Sequence, residues 1–154
     1  LVDIGVYPLR YAYELFGMPR RVICRGELRD GVDISETVLL DYGSFQAEIF
    51  ISVEDPRGEE FVIEGTEGKI RIPYFHMAQE AYLYGQKEER FLDKAPKYGV
   101  QFRRVSEEIA KGCRESAFCS PGATIDTMRL LDECRKQLGL IYPSERTESR
   151  SGER

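Results

Sequence analysis

The segment from Phe45 to Val53 alternates between two kinds of side chain. Every second residue in it is apolar, and all but one of the residues between them are polar, Phe50 being the exception. A period of two is typical of a β-strand with one buried face, whereas a helix repeats its apolar residues every three or four positions. The middle of the chain is therefore predicted to belong to a sheet.

Further strands are predicted on both sides of this segment. Val22–Leu28 and Thr37–Tyr42 precede it, and the short turn Tyr42-Gly43-Ser44 predicts an antiparallel hairpin between the second of these runs and Phe45–Val53. A second hairpin is predicted around the turn Gly65–Gly68. The later predicted strands are Phe61–Glu64, Lys69–Ile72, Ala81–Tyr84 and Glu89–Leu92.

The beginning of the chain is predicted to be a helix. Asp3 is a preferred N-cap residue, Pro8 is tolerated only near a first turn because it lacks an N–H group, and Gly17 suits the position just after a helix. Apolar residues occupy most of the circumference between Asp3 and Gly17, so we expect this helix to be buried.

Two more helices are predicted near the end of the chain. For the second of them, Thr124 is the predicted N-cap and Gly139 the predicted residue after the C-terminus. Both helices are expected on one face of the sheet, which gives an α+β fold with a mostly antiparallel, open-faced sheet. The two apolar stripes are Tyr98, Phe102, Val105, Ile109 and Cys113, and then Ile125, Met128, Leu131, Cys134 and Leu138.

Length and charge limit the classes of protein that fit. The chain has 154 residues, 42% of them hydrophobic, so we predict one domain over 1–143 and a polar, flexible tail over 144–154. The net charge of −5 comes with no basic stripe, so nucleic acid is not an expected partner. No apolar run approaches the roughly 18 residues of a membrane helix, and no membrane association is predicted.

The four cysteines show no C-x-x-C spacing and no histidine at metal-ligand distance. No metal site is predicted from them. Cys24 lies in a predicted strand, while Cys113 and Cys134 fall on the apolar stripes of helices. Reduced, core-filling thiols in the cytoplasm are favoured over a disulfide or a reactive site.

Asp3 and Tyr7 are the first candidate site residues. Residues four apart on a helix share a face, with Cβ atoms about 5 to 6 Å apart, so a carboxylate and a phenol can point into one pocket. That pairing suits proton transfer. The alternatives are a half-buried core tyrosine at Tyr7 and a simple N-cap at Asp3.

Short strings with a characteristic order extend from Asp3 to Pro143. Together they resemble the second domain of the glucose-fructose oxidoreductase / inositol dehydrogenase / MocA family of NAD(P)-dependent oxidoreductases. The tyrosine four residues after Asp3 is similar to the trans-dihydrodiol dehydrogenase and glucose-fructose oxidoreductase branch. The strings are DIGVYPL at 3–9, LFG at 15–17, GTEG at 65–68, IRIP at 70–73, CRES at 113–116, MRLLD at 128–132 and LGLIYP at 138–143.

The resemblance implies roles for the site residues. Tyr7 matches the position of the acid/base that exchanges a proton with the substrate hydroxyl or carbonyl, and Asp3 would orient the substrate and tune Tyr7. A free phenol has a pKa near 10, so a nearby cation is needed to make it a useful base. Arg10 and His76 are candidate substrate contacts. The alternative for Arg10, a surface or salt-bridged arginine, is equally plausible, whereas a single histidine in a loop is more often solvated or hydrogen-bonded within the protein.

The chain departs from the family pattern in its cofactor-binding parts. It contains no G-x-G-x-x-G turn and no Glu-Lys-Pro motif, whose lysine takes part in catalysis in the family. We therefore expect a C-terminal domain whose N-terminal Rossmann domain is absent from this chain. NAD or NADP would be bound mainly by that absent domain, with no cofactor expected here, and the isolated chain should be inactive.

The resemblance also implies a homodimer, because the family carries its subunit contacts on the open face of this sheet. Phe50, Tyr82 and Tyr84 agree with a face that is not wholly polar. The alternative function is a non-catalytic module for dimerisation or interaction through the sheet. A glycosidase is disfavoured, because Glu107 and Glu108 lie on the polar side of their predicted helix rather than converging in a cleft.

Overall fold

A computed structural model describes residues 3–55, 58–92 and 98–145. The chain divides into two compact units, of which the first comprises 1–56 with 119–154 and the second comprises 57–118. The extent of a single domain, 1–143, stays a prediction. Of the predicted tail, residues 144 and 145 are described, as the end of the 3-10 turn Pro143–Glu145. Residues 146–154 lie outside the described part of the chain.

The described residues form three α-helices and seven β-strands. All paired strands are antiparallel. In chain order the elements are α1 (Val6–Phe16), β1 (Arg21–Arg29), β2 (Val32–Asp41), β3 (Gln46–Ser52), β4 (Glu60–Gly65), β5 (Gly68–Pro73), β6 (Glu80–Tyr84), β7 (Glu89–Leu92), α2 (Gly99–Ala110) and α3 (Pro121–Leu138).

The first unit contains a three-stranded sheet in the order β1-β2-β3. A two-residue turn, Asp30-Gly31, joins β1 to β2 with φ values of 53° and 80°, which is the left-handed geometry of a type I′ hairpin. Strand β2 begins five residues earlier than the Thr37 predicted from the sequence. In the register, Val38 lies between Cys24 of β1 and Ile49 of β3.

One face of this sheet packs against α1 and α3 to form the hydrophobic core. The alternation that predicted β3 is confirmed within the strand, because Ile49 and Ile51 are buried. Phe45 and Val53 lie beyond the ends of the strand and are exposed. Each fully buried aliphatic side chain contributes about 1.5–3 kcal/mol to folding. The buried core residues are Leu9, Ala12, Cys24, Val38, Leu40, Ile49, Ile51, Leu130, Leu131 and Cys134.

The second unit contains a four-stranded sheet in the order β4-β5-β6-β7. Gly65 pairs with Gly68 at the hairpin turn, as predicted. One face carries aromatic rings next to a cation. The ring centroids of Tyr82 and Tyr84 stack 6.2 Å apart, and the Arg90 guanidinium lies 5.6 Å from the centre of the Tyr82 ring. None of the described residues of this unit is buried.

The predicted α+β class with open, antiparallel sheet is confirmed. The strands fall into two sheets rather than one. Strand β3 ends at Ser52, whose hydroxyl oxygen accepts hydrogen bonds from the backbone N–H groups of Glu54 and Asp55 at 3.2 and 3.1 Å. Such a turn bends the backbone away from the extended form that pairing requires.

Helix α1 differs from its prediction in two respects. Its N-cap is Gly5 rather than Asp3, so the helix begins at Val6. Only one face is buried, with Leu9 and Ala12 in the core, because the apolar residues on the other side, Leu15 among them, remain exposed. Gly17 ends the helix with a φ of 73°, as its position predicted.

Helix α3 begins earlier than predicted. Ser120, not Thr124, is the N-cap, and its hydroxyl oxygen accepts a hydrogen bond from the Ala123 N–H at 3.1 Å; Pro121 occupies the first helical position. Gly139 follows the helix in the left-handed conformation, as predicted. Of the predicted stripe, Leu131 and Cys134 are buried, whereas Ile125 and Met128 are exposed.

Helix α2 exists where predicted, but its apolar stripe is not buried. The side chains of Phe102 and Ile109 are 68% and 69% exposed. The helix ends at Ala110, so Cys113 lies after it and is exposed. Cys24 and Cys134 are buried free thiols as expected, and the core-filling role is wrong for Cys113 and Cys119, which are both exposed.

Candidate functional site

The first turn of α1 determines how Tyr7 is presented. The backbone N–H of Leu9 donates to the Gly5 carbonyl at 3.2 Å, which makes it the first N–H of the helix with an intrahelical partner. Pro8 lies just before it, at a position where a missing N–H removes no helical hydrogen bond. The sequence therefore tolerates a proline next to the candidate tyrosine.

Tyr7 lies on the side of α1 turned away from the core. Two residues of helix rotate a side chain by about 200°, so Tyr7 points almost opposite to Leu9. Leu9 is fully buried, whereas the Tyr7 side chain is 54% exposed. The phenol is therefore accessible and is not a core residue.

Asp3 lies in the turn that precedes α1, and it is exposed. The prediction that Asp3 and Tyr7 lie on one helix is wrong, because the helix begins at Val6. Both side chains nevertheless flank the same helix N-terminus and are open to solvent. A carboxylate near a helix N-terminus is favoured by the helix dipole.

Arg10 follows Tyr7 on α1 and takes part in contacts within the first unit. Its guanidinium forms an ion pair with Glu14 one turn later, and it lies 5.9 Å from the centre of the Tyr13 ring. The Tyr13 hydroxyl donates to a carboxylate oxygen of Asp126 on α3 at 3.1 Å. This hydrogen bond, followed by partial burial, raises the pKa of Tyr13. Arg10 thus contacts Tyr13, the residue that joins α1 to α3.

His76 lies in the second unit, whereas Asp3, Tyr7 and Arg10 lie in the first. It lies in the 3-10 turn Phe75–Met77 after β5, and its Nδ1 is 3.0 Å from a carboxylate oxygen of Glu59. Sequence reasoning missed Glu59. The signal that could have found it is the register of the Gly65–Gly68 hairpin, which pairs Glu60 with Pro73 and so brings Glu59 beside the turn.

A groove in the described part of the chain has a volume of about 650 Å³ and is wide open. It lies at the turn end of the four-stranded sheet, with Ile63, Ile70 and Leu83 among its lining residues. None of the four predicted site residues lines it. Among the described residues no cluster of His, Cys, Asp and Glu could hold a metal ion.

The glycine-containing turn of the second unit differs from the pyrophosphate-binding turn of a Rossmann domain. That turn is rich in glycine and lies between a strand and the N-terminus of a helix. The Gly65–Gly68 turn instead joins two antiparallel strands, β4 and β5. None of the helices in residues 3–55, 58–92 and 98–145 has the length and apolar character needed to cross a membrane.

Comparison with known proteins gives sequence relatives over nearly the whole chain. The chain is 31% identical over 150 residues to the scyllo-inositol 2-dehydrogenase (NADP(+)) IolU of Bacillus subtilis, covering 94% of this chain and 46% of that protein. It is 27% identical over 157 residues to a trans-1,2-dihydrobenzene-1,2-diol dehydrogenase of Xenopus laevis, covering 93% and 48%. The chain thus spans about half the length of the curated relatives it matches. No protein-family model matches it.

Solved structures share the fold. The UDP-N-acetylglucosamine 3-dehydrogenase GnnA of Acidithiobacillus ferrooxidans superposes with a TM-score of 0.75 at 15% identity, over 88% of this chain and 46% of that one. A point mutant of KijD10, a 3-ketoreductase of Actinomadura kijaniata, superposes with a TM-score of 0.71 at 20% identity, over 90% and 47%. The solved structures show the fold, and the sequence relatives show that this chain corresponds to the C-terminal half of oxidoreductases of the glucose-fructose oxidoreductase / inositol dehydrogenase / MocA family.

Proposed function

We propose that this chain is the substrate-binding and dimerisation domain of an NAD(P)-dependent oxidoreductase that transfers a hydride to or from a sugar, polyol or dihydrodiol. The names of the sequence relatives support this substrate class, because they include an inositol dehydrogenase and dihydrodiol dehydrogenases. The observation that carries the proposal is Tyr7, a half-exposed phenol on the side of α1 opposite the core.

The proposed chemistry of this chain is proton transfer and substrate orientation. A phenol is a proton donor at neutral pH, so Tyr7 would protonate the oxygen of a carbonyl substrate and take the proton back in the reverse direction. Asp3 would accept a hydrogen bond from the substrate or from Tyr7. Arg10 of the first unit and His76 of the second are each proposed as a substrate-binding residue.

The dinucleotide, NAD or NADP, is proposed to bind mainly to an N-terminal Rossmann domain of the same protein. The family resemblance supports this assignment, as does the lack of a strand–glycine turn–helix unit among the described residues. Such a domain would also supply the cation that a tyrosine base requires. The cytoplasmic location predicted from the cysteines stays part of the proposal.

The proposed partner for the open sheet face is a second copy of this chain. Phe50 supports it, because this residue lies between the buried Ile49 and Ile51 on β3 and therefore points to the face away from the core, where it remains exposed. The stacked Tyr82 and Tyr84 are further apolar surface on the second sheet.

The direct test is Tyr7→Phe in the intact protein. Turnover would be measured with NAD and NADP against a panel of sugars, polyols and dihydrodiols. Loss of a general acid lowers kcat by about 10²–10⁴-fold, so we expect at least a hundredfold loss with little change in stability.

Tyr13→Phe is the matched control on the same helix. It removes the hydroxyl that binds Asp126, so it should lower stability by about 1 kcal/mol and leave kcat within a few-fold of the wild type. A Tyr7→Phe enzyme that keeps wild-type turnover would refute the role of Tyr7.

The second candidate is a non-catalytic interaction module. The observation that favours it is the exposed apolar stripe of α2, which includes Phe102 and Ile109. It predicts no NAD(P)-linked turnover of any substrate in the panel, together with self-association that Tyr7→Phe leaves unchanged. The oxidoreductase predicts measurable turnover.

A further inference from the structure

A small cavity lies beside Glu36 in the first unit. Its volume is about 20 Å³. A cavity needs roughly 10–15 Å³ to hold a water molecule, so this one has room for one particle of that size and for no larger molecule. Its walls come from Ile4 in the turn before α1, from residues 33–36 of β2, and from Ile51 and Val53 at the end of β3.

Glu36 brings an unsatisfied polar group to this cavity. Its side chain is only 2% exposed, and no described residue donates a hydrogen bond to either of its carboxylate oxygens. The residues opposite Glu36 on the two neighbouring strands are Gly26 of β1 and Ile51 of β3, and neither has a polar side chain. Buried polar groups in proteins nearly always have a partner, so an isolated one indicates a bound molecule.

Asp33, the other acidic residue of the lining, does not supply the missing donors. An ionised carboxylate only accepts hydrogen bonds. One proton shared between the Asp33 and Glu36 carboxyl groups satisfies at most one Glu36 oxygen, whichever group carries it. The other oxygen still requires a molecule that brings an N–H or O–H group.

We propose that this cavity binds one structural water molecule, which donates a hydrogen bond to Glu36. Water has the size that the cavity admits, and it brings two O–H donors. Asp33 and Ser35 line the same cavity, so the water has the two or more polar partners that such a site needs. Ile4 and Val53 are 38% and 66% exposed, so the cavity lies close to the solvent. The inference does not depend on the proposed function.

Three variants separate the role of the carboxyl from that of the surrounding chain. Glu36→Gln keeps a side-chain oxygen that accepts the same hydrogen bond. Glu36→Met replaces the carboxyl with an apolar side chain of similar length, which offers the water no strong acceptor. Glu48→Met is the matched control, because Glu48 lies on β3 with its side chain exposed.

The first readout is a crystal structure of the intact protein. We expect one water oxygen within about 2.5–3.2 Å of a Glu36 carboxyl oxygen in the wild type. The same water should be present in Glu36→Gln and Glu48→Met and lost from Glu36→Met. A dry cavity in the wild type, which needs no variant to be seen, would overturn the inference, and so would a water that persists in Glu36→Met.

The second readout is the nuclear Overhauser effect between water and the backbone amides of residues 34–36 in solution. We expect the sign of a long-lived bound water in the wild type, in Ser35→Ala and in Glu36→Gln. The last two variants remove the hydroxyl and carboxyl protons that could imitate a water signal by exchange. Absence of the effect in these two variants would overturn the inference.

A monovalent cation of similar size is the competing occupant. Among the described residues no group of three or more His, Cys, Asp and Glu could hold a metal ion. We therefore expect the urea midpoint of the wild type to be the same in sodium, potassium and ammonium chloride at constant ionic strength. A midpoint that rises with potassium or ammonium and stays constant in Glu36→Met would assign the cavity to a cation and overturn the inference.

Discussion

Glu36 is one of two polar residues buried in the described part of the chain, the other being Thr127. The Thr127 hydroxyl donates to the Ala123 carbonyl at 2.8 Å, so its burial is compensated. Glu36 is only 2% exposed, and neither of its carboxylate oxygens accepts a hydrogen bond from a described residue. Removal from water, and then the neighbouring Asp33 carboxyl, raise the pKa of Glu36 to about 7.

Glu36 faces the core because it alternates along β2 with the buried Val38 and Leu40. A β-bulge shifts the register of β1 and β2 between Glu27 and Leu28, just beyond the point where Gly26 pairs with Glu36. A Cβ atom on Gly26 would lie 3.0 Å from Cγ of Glu36 and 3.2 Å from a methyl group of Leu138. The missing side chain of Gly26 leaves the room that Glu36 and α3 share.

The raised pKa of Glu36 predicts a pH-dependent stability. Below about pH 4.5 both the folded and unfolded states carry the proton, and above about 7 both have lost it. Between these values the folded state binds more protons, so the free energy of unfolding falls as pH rises. The expected fall is about 3 kcal/mol, from roughly 1.4 kcal/mol per pKa unit.

Glu36→Gln removes this titration. The free energy of unfolding of the variant and of the wild type would be measured by urea denaturation at pH values from about 4.5 to 8. Over this range the variant should gain about 3 kcal/mol relative to the wild type. Glu48→Gln, on the exposed face of β3, is the control and should run parallel to the wild type. A Glu36→Gln curve parallel to the wild type would show that the carboxyl titrates normally.

At the scale of elements, one side chain of α3 adds hydrogen bonds to the apolar packing between this helix and the edge strand β1. The Gln137 amide oxygen accepts from the Cys24 N–H at 2.8 Å, and its amide nitrogen donates to the Val22 carbonyl at 2.9 Å. These are backbone groups of an edge strand, which otherwise invite pairing with another chain. Gln137 thus substitutes for a neighbouring strand at this point.

Truncation of Gln137 should therefore cost more than its exposed position suggests. We expect Gln137→Ala to lower the free energy of unfolding by about 1–2 kcal/mol, because two backbone groups lose their partners. The neighbouring exposed residue provides the control, since Lys136→Ala should stay within about 0.5 kcal/mol of the wild type. Equal stability of both variants, measured by thermal or urea unfolding, would show that water replaces the amide without loss.

The sequence predicted well those helix ends, strands and turns that depend only on neighbouring residues. Gly17 and Gly139 end their helices because the positive φ there is easiest for glycine, a requirement that depends on no distant contact. The alternation in β3 and the Gly65–Gly68 turn likewise act over a few residues. The α+β class followed from these signals, whereas the family was suggested by the resemblance and order of the short motifs.

Features that depend on distant contacts were missed. The first five residues of β2 were not predicted as strand, because Asp33 and Glu36 are acidic residues where the pattern calls for apolar ones, and the bulge shifts the alternation. The pairing of Glu59 with His76 depends on hairpin register rather than on spacing along the chain. Periodicity predicted α2 but could not predict whether its apolar face has a partner.

At the scale of the whole molecule, burial is unevenly distributed between the two units. All the buried hydrophobic residues among those described, such as Val38, Leu40 and Leu130, belong to the first unit. The second unit has four hydrogen-bonded strands but no buried side chain among its described residues. Local opening is easiest where few apolar contacts hold the strands.

Hydrogen exchange should therefore separate the units. We expect the amides of β2 to exchange only through global unfolding, and those of β4 to β7 to exchange through local opening at rates at least about a hundredfold higher. The comparison is made by mass spectrometry at about 1 μM protein, a concentration low enough to keep self-association minimal. Similar protection in β2 and β5 would show that the second unit is as stable as the first.

The proposed dimer makes a separate prediction, which depends on concentration. If the outer sheet face binds a second copy, the intact protein should sediment as a dimer at about 100 μM, and protection of the strand amides should rise with concentration. Phe50→Glu places a charge on that face and should shift the protein to monomer. At about 1 μM, where both proteins should be monomeric, Tm should be nearly unchanged, because Phe50 does not belong to the buried core. Ile125→Glu, which places the same charge on an exposed position of α3, should leave the dimer intact. A wild-type protein that remains monomeric from about 1 to 100 μM would contradict the proposed dimer.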